Sequence, residues 1–402
     1  MFKAYQDIFT PPGSKLFSAA GFVARMPISM TSIGLVTMLS QMRGGYGLAG
    51  AIAAVFALAT ALISPQLSRL VDRLGQSRVL LPAGMVSAAS IGALLLLARF
   101  GAPDWTLFIC ALFAGCMPSM PAMVRARWTE LYRGSPKLHT AFSFESVLDE
   151  ICFIIGPILS VGLSVSVFPE AGPLAACLFL ITGILLFTRQ KSSEPAIRPQ
   201  LTGESGSVLR LGSIRMLAFT FVAIGIIFST VDVVTVAFAE YQGYKVGASY
   251  VLAIYATGSC LAGLVFGLLK IKQTLQRQFL TGVALMTLTL LPLLLVDSMT
   301  KLALIVFFSG LTVAPTMIIT MGLIEKIVPS HQLTEGMTWA TTGLGIGVAS
   351  GSAVAGWVID TISVQSGFSV AIAAGVLALV ISLLGYKILL SAYKPAPAKE
   401  HV

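Results

Sequence analysis

The feature that most constrains this chain is a series of long apolar stretches that recur along its whole length. An α-helix needs about 20 mainly apolar residues to cross the hydrocarbon core of a bilayer. Charged residues make up only 11% of the chain, and the mean hydropathy is +0.89. This composition predicts an all-α membrane protein and excludes secreted, disordered and fibrous classes. Twelve spans are predicted: Leu16–Leu39, Tyr46–Leu67, Val79–Leu97, Trp105–Val124, Thr140–Val167, Gly172–Phe187, Met216–Ala239, Gly247–Leu269, Phe279–Leu295, Leu302–Leu323, Thr334–Ile359 and Phe368–Leu389.

The basic residues lie almost entirely in connectors that share one side of the predicted membrane. Of the 26 Lys and Arg residues, one lies inside the first span, and the side opposite the N-terminus receives only Arg43, Arg99, Lys245 and Lys301. Lys and Arg accumulate in cytoplasmic loops. We therefore expect both termini to be cytoplasmic, in a bacterial inner membrane. The net charge of +9 then reflects membrane topology, and we expect no nucleic acid partner.

The chain divides near its middle, where the polar segment Thr188–Arg215 carries Pro195 and Pro199. We predict an N-terminal six-helix half at 1–187, a cytoplasmic linker at 188–215 and a C-terminal six-helix half at 216–402. One offset also relates the fourth and fifth spans to the tenth and eleventh, because it places Pro121, Met123, Thr140 and Gly162 on Pro315, Met317, Thr334 and Gly356. A shared offset across consecutive spans indicates a parallel duplication.

The loop between the second and third spans carries a motif. It reads S-R-L-V-D-R-L-G-Q-S-R, close to the pattern G-x-x-x-D-R-x-G-R-R, and the matching residues are Asp72, Arg73, Gly75 and Arg78. Six spans also lie on each side of the basic middle segment Thr188–Arg215. With this arrangement and the motif, the chain resembles the major facilitator superfamily over essentially its whole length. The resemblance implies two pseudo-symmetric halves, secondary transport, and a gating role for the motif residues, which latch the halves on the cytoplasmic side. Simple topology anchoring is the alternative.

A second motif lies in the fifth span, where Gly156-Pro157 resembles the g-x-x-x-G-P-x-x-G-G pattern of proton-driven exporters in that superfamily. Cys152, Ser160 and Val161 depart from the pattern, and Ala111 stands where such exporters carry an arginine. The resemblance implies gating roles for Gly156 and Pro157, and export of drugs or metabolites by proton antiport. Proton-coupled import of a small nutrient is the alternative.

Ionisable residues inside the spans are the strongest chemical signal. A charge at the helix centre costs about 2.5–3.5 kcal/mol on insertion scales, so each such residue needs a partner or a function. Glu145 and Asp149 share one face of the fifth helix, whereas Glu150 is turned about 100° away. Arg25 lies at a similar depth in the first span. We predict a buried Arg25–carboxylate cluster that carries protons, mainly on Asp149, with a static ion pair as the alternative; Glu145 could instead snorkel to the interface.

A central apolar cavity is predicted from adaptable and aromatic side chains. The candidates for its wall are Met117, Met120, Phe22, Phe228 and Trp339, and the alternative for each is ordinary packing. Asp232 in the seventh span either binds a cationic substrate or reaches water. Glu335 lies at the start of the eleventh helix, and we expect its carboxylate to cap that helix, because a negative charge interacts favourably with the positive end of the helix dipole. The small-residue stripes Ala49–Ala61 and Gly343–Ala355 suit either rocking of the second and eleventh spans on each other or static packing.

The expected partners are the lipid bilayer, a small-molecule substrate and protons, and we expect a monomer. The chain has no nucleophile–base pairing, metal-ligand cluster or phosphate-binding loop in its sequence. We therefore expect no cofactor, no metal site and no enzyme activity.

Overall fold

The computed structural model describes residues 2–43, 46–197, 207–244, 247–269 and 271–392. Within these ranges the chain is helical, and no β-strand occurs. The α-helices are α1 (Phe2–Asp7), α2 (Ser14–Arg43), α3 (Tyr46–Leu74), α4 (Gln76–Arg99), α5 (Asp104–Ala114), α6 (Met120–Tyr132), α7 (Lys137–Ser166), α8 (Ala171–Thr188), α9 (Gly212–Tyr241), α10 (Gly247–Phe266), α11 (Leu275–Leu290), α12 (Met299–Ile327), α13 (Leu333–Thr361) and α14 (Val364–Ala392). Lys245 and Pro199, used in the sequence predictions, lie outside the described residues.

The predicted all-α membrane fold is confirmed. Among the described residues, 10 helices are long and apolar enough to cross a membrane by length and composition. Two further apolar helices, Asp104–Ala114 and Tyr250–Phe266, are shorter. Each predicted span falls on one of these helices, with ends displaced by a few residues, except that the fourth span divides between α5 and α6.

The division of the fourth span follows from Pro118 and Pro121, which remove backbone donors and prevent a continuous helix. Irregular backbone at membrane depth must find hydrogen bonds inside the protein. Two serines supply them here: Ser87 Oγ donates to Ala114 O at 2.6 Å, and Ser64 Oγ donates to Met117 O at 2.8 Å. The break is therefore held by α3 and α4.

The helices pack in neighbouring groups. In the first part of the chain α2 packs on α7 and α8, and α4 packs on α5 and α8. In the second part α9 packs on α13 and α14, and α12 packs on α10 and α11. The two groups meet where α3 contacts α13 and where α7 contacts α10 and α12. The division into halves at 188–215 stays a prediction.

The bundle has two ends that are used below as landmarks. The Asp72 end comprises the last turns of α3 and α10 and the first turns of α4, α7 and α13, where Asp72 binds Thr334 and His139 binds Phe266. The Arg43 end is the opposite one, where Arg43 donates to Ala102 O at 2.7 Å.

The glycine stripe of α13 faces α9. A Cβ atom on Gly343 or Gly347 would overlap the carbonyl oxygen of Ala218 or Val222, both on α9. Of the two alternatives for this stripe, static close packing explains it, since these glycines lie against α9. Contact between α3 and α13 includes Ser68 Oγ and Thr338 Oγ1, which are 2.7 Å apart.

Candidate functional site

Arg25 is the centre of a buried charge network. Its side chain is 1% exposed, and Nη1 donates to Asp149 Oδ1 at 2.7 Å. Its Nη2 forms an ion pair with Glu145, so the guanidinium of α2 binds two carboxylates one turn apart on α7. The structure thus brings together Arg25, Glu145 and Asp149, as their spacing and depth suggested.

Glu145 is fully buried, with 0% exposure, so the suggestion that it snorkels to the interface is wrong. Besides Arg25, two donors hold its Oε1: Ser18 Oγ at 2.9 Å and Trp128 Nε1 at 2.7 Å. The Trp128 ring packs on Phe17, with ring centroids 4.6 Å apart. A buried carboxylate is stable only with such partners.

Arg125 is the fourth member of the network and was missed from the sequence. Its Nη2 donates to Asp149 Oδ2 at 2.6 Å, so Asp149 lies between two arginines. The sequence counted Arg125 and Arg127 with the loop cations, but both are buried in α6, which continues past the predicted end of the span. A signal for Arg125 was present in the sequence. Pro121 is favoured in the first turn of a helix, so a new helix that starts there would carry Arg125 one turn further on. Two cations and two anions make the network neutral.

Arg127 has a separate role. Its Nε donates to Gln76 Oε1 at 2.7 Å, and its Nη1 donates to Ser193 Oγ at 2.8 Å. Its Cζ lies 3.8 Å from the centroid of the Phe187 ring, a cation–π distance. Arg127 therefore ties the start of the segment after α8 to the start of α4.

Glu150 does not join the Arg25 network, so the predicted cluster is divided. It faces α10, where Ser259 Oγ donates to Glu150 Oε1 at 2.7 Å. No ion pair is formed by Glu150 or Asp232 among the described residues. The electrostatic neighbours of Glu150 include Asp149 and Asp232. Glu150 is thus a carboxylate held by one hydroxyl between α7 and α10.

The motif residue Asp72 binds the start of α13. Its Oδ1 accepts from the backbone N–H of Thr334 at 3.2 Å, and its Oδ2 accepts from the N–H of Glu335 at 2.9 Å. These N–H groups have no partner within their own helix, and a carboxylate also suits the positive end of the helix dipole. A side chain of α3 thereby closes the N-terminus of α13.

Glu335 does not cap its own helix as expected, because Asp72 already occupies that position. Its Oε1 instead accepts from Ser207 Oγ at 2.5 Å and from the backbone N–H of Val208 at 3.3 Å. Trp339 Nε1 lies 3.4 Å from the same oxygen. Glu335 and Trp339 therefore hold the segment that precedes α9.

The remaining motif residues shape the turn between α3 and α4. Gly75 has a φ of 92°, a conformation that favours glycine. Glu194 caps α4, because its Oε1 accepts from the backbone N–H of Ser77 at 2.7 Å. Arg73 and Arg78 are exposed. Asp72 and Gly75 thus make structural contacts, whereas the two arginines are free to meet solvent or lipid.

Side chains from α1 and α7 also cover the last carbonyls of α10. Tyr5 Oη donates to Leu264 O at 2.7 Å, His139 Nε2 lies 2.8 Å from Phe266 O, and Thr140 Oγ1 donates to Gly267 O at 2.9 Å. Burial raises the pKa of Tyr5 to about 12, so its hydroxyl remains a donor at physiological pH. We call these three contacts the α10 latch.

Gly156 allows α7 to approach α2. A Cβ atom there would overlap Ser29 Oγ, which donates to Cys152 O at 2.9 Å. One turn on, Ser160 Oγ donates to Met30 O at 2.9 Å. Pro157 is half-buried beside these contacts.

The predicted cavity residues do not form one surface. Met117 and Met120 are each 1% exposed inside the packed core. Phe22 packs in a separate small cluster with Met26 and Met30. Phe228 of α9 meets Tyr255 of α10 edge to face, with centroids 6.3 Å apart, and Asp232 is exposed about one turn after Phe228 on α9.

Contacts between the two groups of helices are unevenly distributed. The hydrogen bonds that join residues 2–197 to residues 207–392 include those of Asp72, of Ser68 with Thr338, of the α10 latch, and of Glu150 with Ser259. These bonds lie at the Asp72 end or near the middle of α7.

Comparison with known proteins identifies the family of this fold. The family model described as Major Facilitator Superfamily matches residues 17–296 and 248–401. Similar solved structures include a bacterial homologue of the iron transporter ferroportin in an outward-facing state, with a TM-score of 0.73 and 13% identity over 92% of this chain and 98% of that chain. The human organic anion transporter MFSD10 (TETRAN) has a TM-score of 0.69 and 17% identity over 93% of this chain and 100% of that one.

A third similar structure is the Major Facilitator Superfamily transporter FucP in its outward conformation, with a TM-score of 0.68 and 12% identity over 93% of this chain and 98% of that chain. No curated protein matches the sequence. At these identities the structures show the fold alone. Together with the family match along most of the chain, they show that this protein belongs to the Major Facilitator Superfamily of membrane transporters.

Proposed function

We propose that this protein is a secondary active transporter that exports small organic compounds, in exchange for protons, by alternating access. The observation that carries the proposal is the set of three carboxylates near the middle of α7: two are bound by Arg25 and Arg125, and Glu150 bonds across to α10. Ionisable groups inside a transporter mark ion or substrate pathways. Here they lie where helices from the two parts of the chain meet.

The distribution of contacts supports an alternating mechanism. In the predicted orientation the Asp72 end is cytoplasmic, so the bonds of Asp72 and the α10 latch close the cytoplasmic side. The similarity to two transporters in outward states agrees with this interpretation. Opening toward the cytoplasm would require these bonds to break together. In a bacterial inner membrane both termini would then be cytoplasmic.

Proton binding supplies the driving force in this proposal. A protonated carboxylate loses its charge, which changes the relative free energies of the two packings of the helices. Substrate then competes for the state that the proton disfavours. Proton-coupled import is the second candidate for two reasons. Cys152, Ser160 and Val161 depart from the exporter motif, and acids inside the membrane can serve symport as well as antiport.

The test is proton movement in inverted membrane vesicles that contain the protein and an internal pH-sensitive dye. After respiration acidifies the lumen, a panel of drugs and metabolites is added outside or preloaded inside. For an antiporter, an external compound raises luminal pH in protein-containing vesicles but not in vesicles without the protein. For a symporter, the preloaded compound produces the change. No compound-dependent change in either arrangement would overturn proton coupling.

A further inference from the structure

We propose that Glu150, rather than Asp149, binds and releases the coupled proton, and that its contact with Ser259 transmits this event to the packing of α7 on α10. The inference rests on the proposed function, since it assigns a residue to the coupling step. It separates the α7 acids into two that bind arginines and one that binds a serine hydroxyl.

Asp149 is held by two cations. Each of its carboxylate oxygens accepts from a different guanidinium, at 2.7 Å from Arg25 and 2.6 Å from Arg125. Charge-assisted bonds of this kind are about twice as strong as neutral ones. A proton on Asp149 would weaken both and leave buried positive charge uncompensated, since Arg25 and Arg125 are 1% and 3% exposed. The network is therefore best explained as a fixed joint between α2, α6 and α7.

Glu150 is in the opposite situation. It receives one hydroxyl hydrogen bond, from Ser259 on α10. The other titratable groups near it are Asp149 on its own helix, Asp232 on α9, and Tyr255 and Cys260 on α10, none of which is a cation. The arginines of α2 and α6 donate to Glu145 and Asp149 instead. A carboxylate without a cation is costly where it is partly removed from water, and the nearby carboxylates of Asp149 and Asp232 add repulsion.

The position of Ser259 explains how a proton on Glu150 could change the conformation. Ser259 is buried, at 1% exposure, in the contact between α7 and α10. On the same helix Leu264, five residues later, accepts from Tyr5 in the α10 latch, which places the two contacts about 7.5 Å apart along the axis. An uncharged Glu150 lets α7 and α10 stay together. When Glu150 loses its proton, hydration of the charged carboxylate favours separation of α7 from α10. This separation weakens the contacts of the α10 latch.

The proton follows a simple path in this scheme. Glu150 accepts it from water at the Arg43 end, on the side opposite the cross-bonds of Asp72 and Ser68. The O–H bond forms on the free carboxylate oxygen, because Oε1 already accepts from Ser259. When the Asp72 end opens transiently, the same proton passes to water on that side, and the charged Glu150 then favours the hydrated, separated arrangement of α7 and α10.

The experiment is pH-difference infrared spectroscopy of the purified full-length protein in lipid, which detects the C=O band of a protonated carboxyl group. It needs no substrate, so its failure is separate from failure of the vesicle assay. Wild type is expected to show one acid band that disappears as pH rises. Glu150→Gln should lose the band, whereas the controls Asp149→Asn and Asp232→Asn should keep it.

Two results would overturn the assignment. A band that persists in Glu150→Gln excludes Glu150, and a band lost only in Asp149→Asn or Asp232→Asn assigns the proton to that residue. If Glu150→Gln does not fold, Ser259→Ala provides the test, since it removes the donor and leaves Glu150 in place. Its acid band must remain with a changed midpoint pH; an unchanged midpoint would also exclude Glu150.

Discussion

The carboxylate of Asp72 accepts a 2.9 Å hydrogen bond from the backbone N–H of Glu335, so that α3 caps the first turn of a helix 263 positions further along the chain. The motif that the sequence shares with its superfamily thus has a direct physical effect here. It satisfies donors that α13 cannot satisfy itself, and it does so only while the Asp72 end is closed.

Removal of this cap should favour the open form of the Asp72 end. Substitution of a capping side chain by alanine typically costs about 1 kcal/mol. In Asp72→Ala on a cysteine-free background, we expect a cysteine at Ser68, which is fully buried beside Thr338, to react several times faster with a water-soluble maleimide. Arg73→Ala, at the exposed neighbouring position, should leave the rate unchanged. Equal labelling rates in Asp72→Ala and Arg73→Ala would show that the Asp72 cap does not hold this end closed.

Loss of one arginine from the network should destabilise the protein strongly. Arg125→Gln leaves Asp149 with Arg25 alone, and breaking a buried ion pair costs about 3–5 kcal/mol. Thermal unfolding in detergent should show a clearly lower midpoint, partly restored in the double variant with Asp149→Asn. The control is Lys301→Gln, whose ion pair with Asp297 is exposed and should not affect the midpoint. An additive double variant would argue against the coupling.

The indole of Trp128 should stabilise Glu145 through its N–H group. Trp128→Phe keeps an aromatic ring against Phe17 but removes the 2.7 Å bond to Glu145. A lost partner of a buried charged group costs about 1–3 kcal/mol. We expect lower thermal stability in this variant and no change in Trp105→Phe, since Trp105 is 64% exposed. Similar losses in both variants would show a general effect of indole removal.

Close packing of α13 on α9 predicts a sharp difference between two neighbouring glycines. Gly347→Ala places a Cβ atom against the Val222 carbonyl, whereas a Cβ atom on Gly345 meets nothing within 4 Å. Overpacking of this kind costs about 1–3 kcal/mol. Gly347→Ala should lower the unfolding midpoint, and Gly345→Ala should leave it equal or slightly higher. Equal losses at both positions would contradict the observed stripe orientation.

The contribution of Tyr5 to the α10 latch should not depend on pH over the physiological range. Its raised pKa of about 12 means that stability from its protonated hydroxyl is complete below the ordinary value of 10.0 and is lost only as pH rises through the folded value. Maleimide labelling of a cysteine at Thr140, measured relative to a small free thiol at each pH because the thiolate is the reacting form, should therefore be constant around neutral pH in the wild-type background and faster in Tyr5→Phe. Unchanged labelling in Tyr5→Phe would show that this bond does not hold the latch.

Several features follow from the sequence because they depend on local composition. Transfer of apolar side chains from water has a free energy that adds along a segment, so hydropathy located the spans. The cost of a buried charge likewise identified Arg25 and the acids of α7 as partners at similar depth.

The partners themselves depend on helix rotation and on contacts between distant segments, which no local property of the sequence encodes. Arg125 reaches Asp149 because α6 stays inside the bundle beyond its apolar stretch. Glu150 is separated from Asp149 by one residue step, which turns it about 100° toward α10 and away from every described cation. The glycine stripe of α13 was equally visible in the sequence, but only tertiary packing decides that it lies against α9, because close approach requires small residues without specifying which helix approaches.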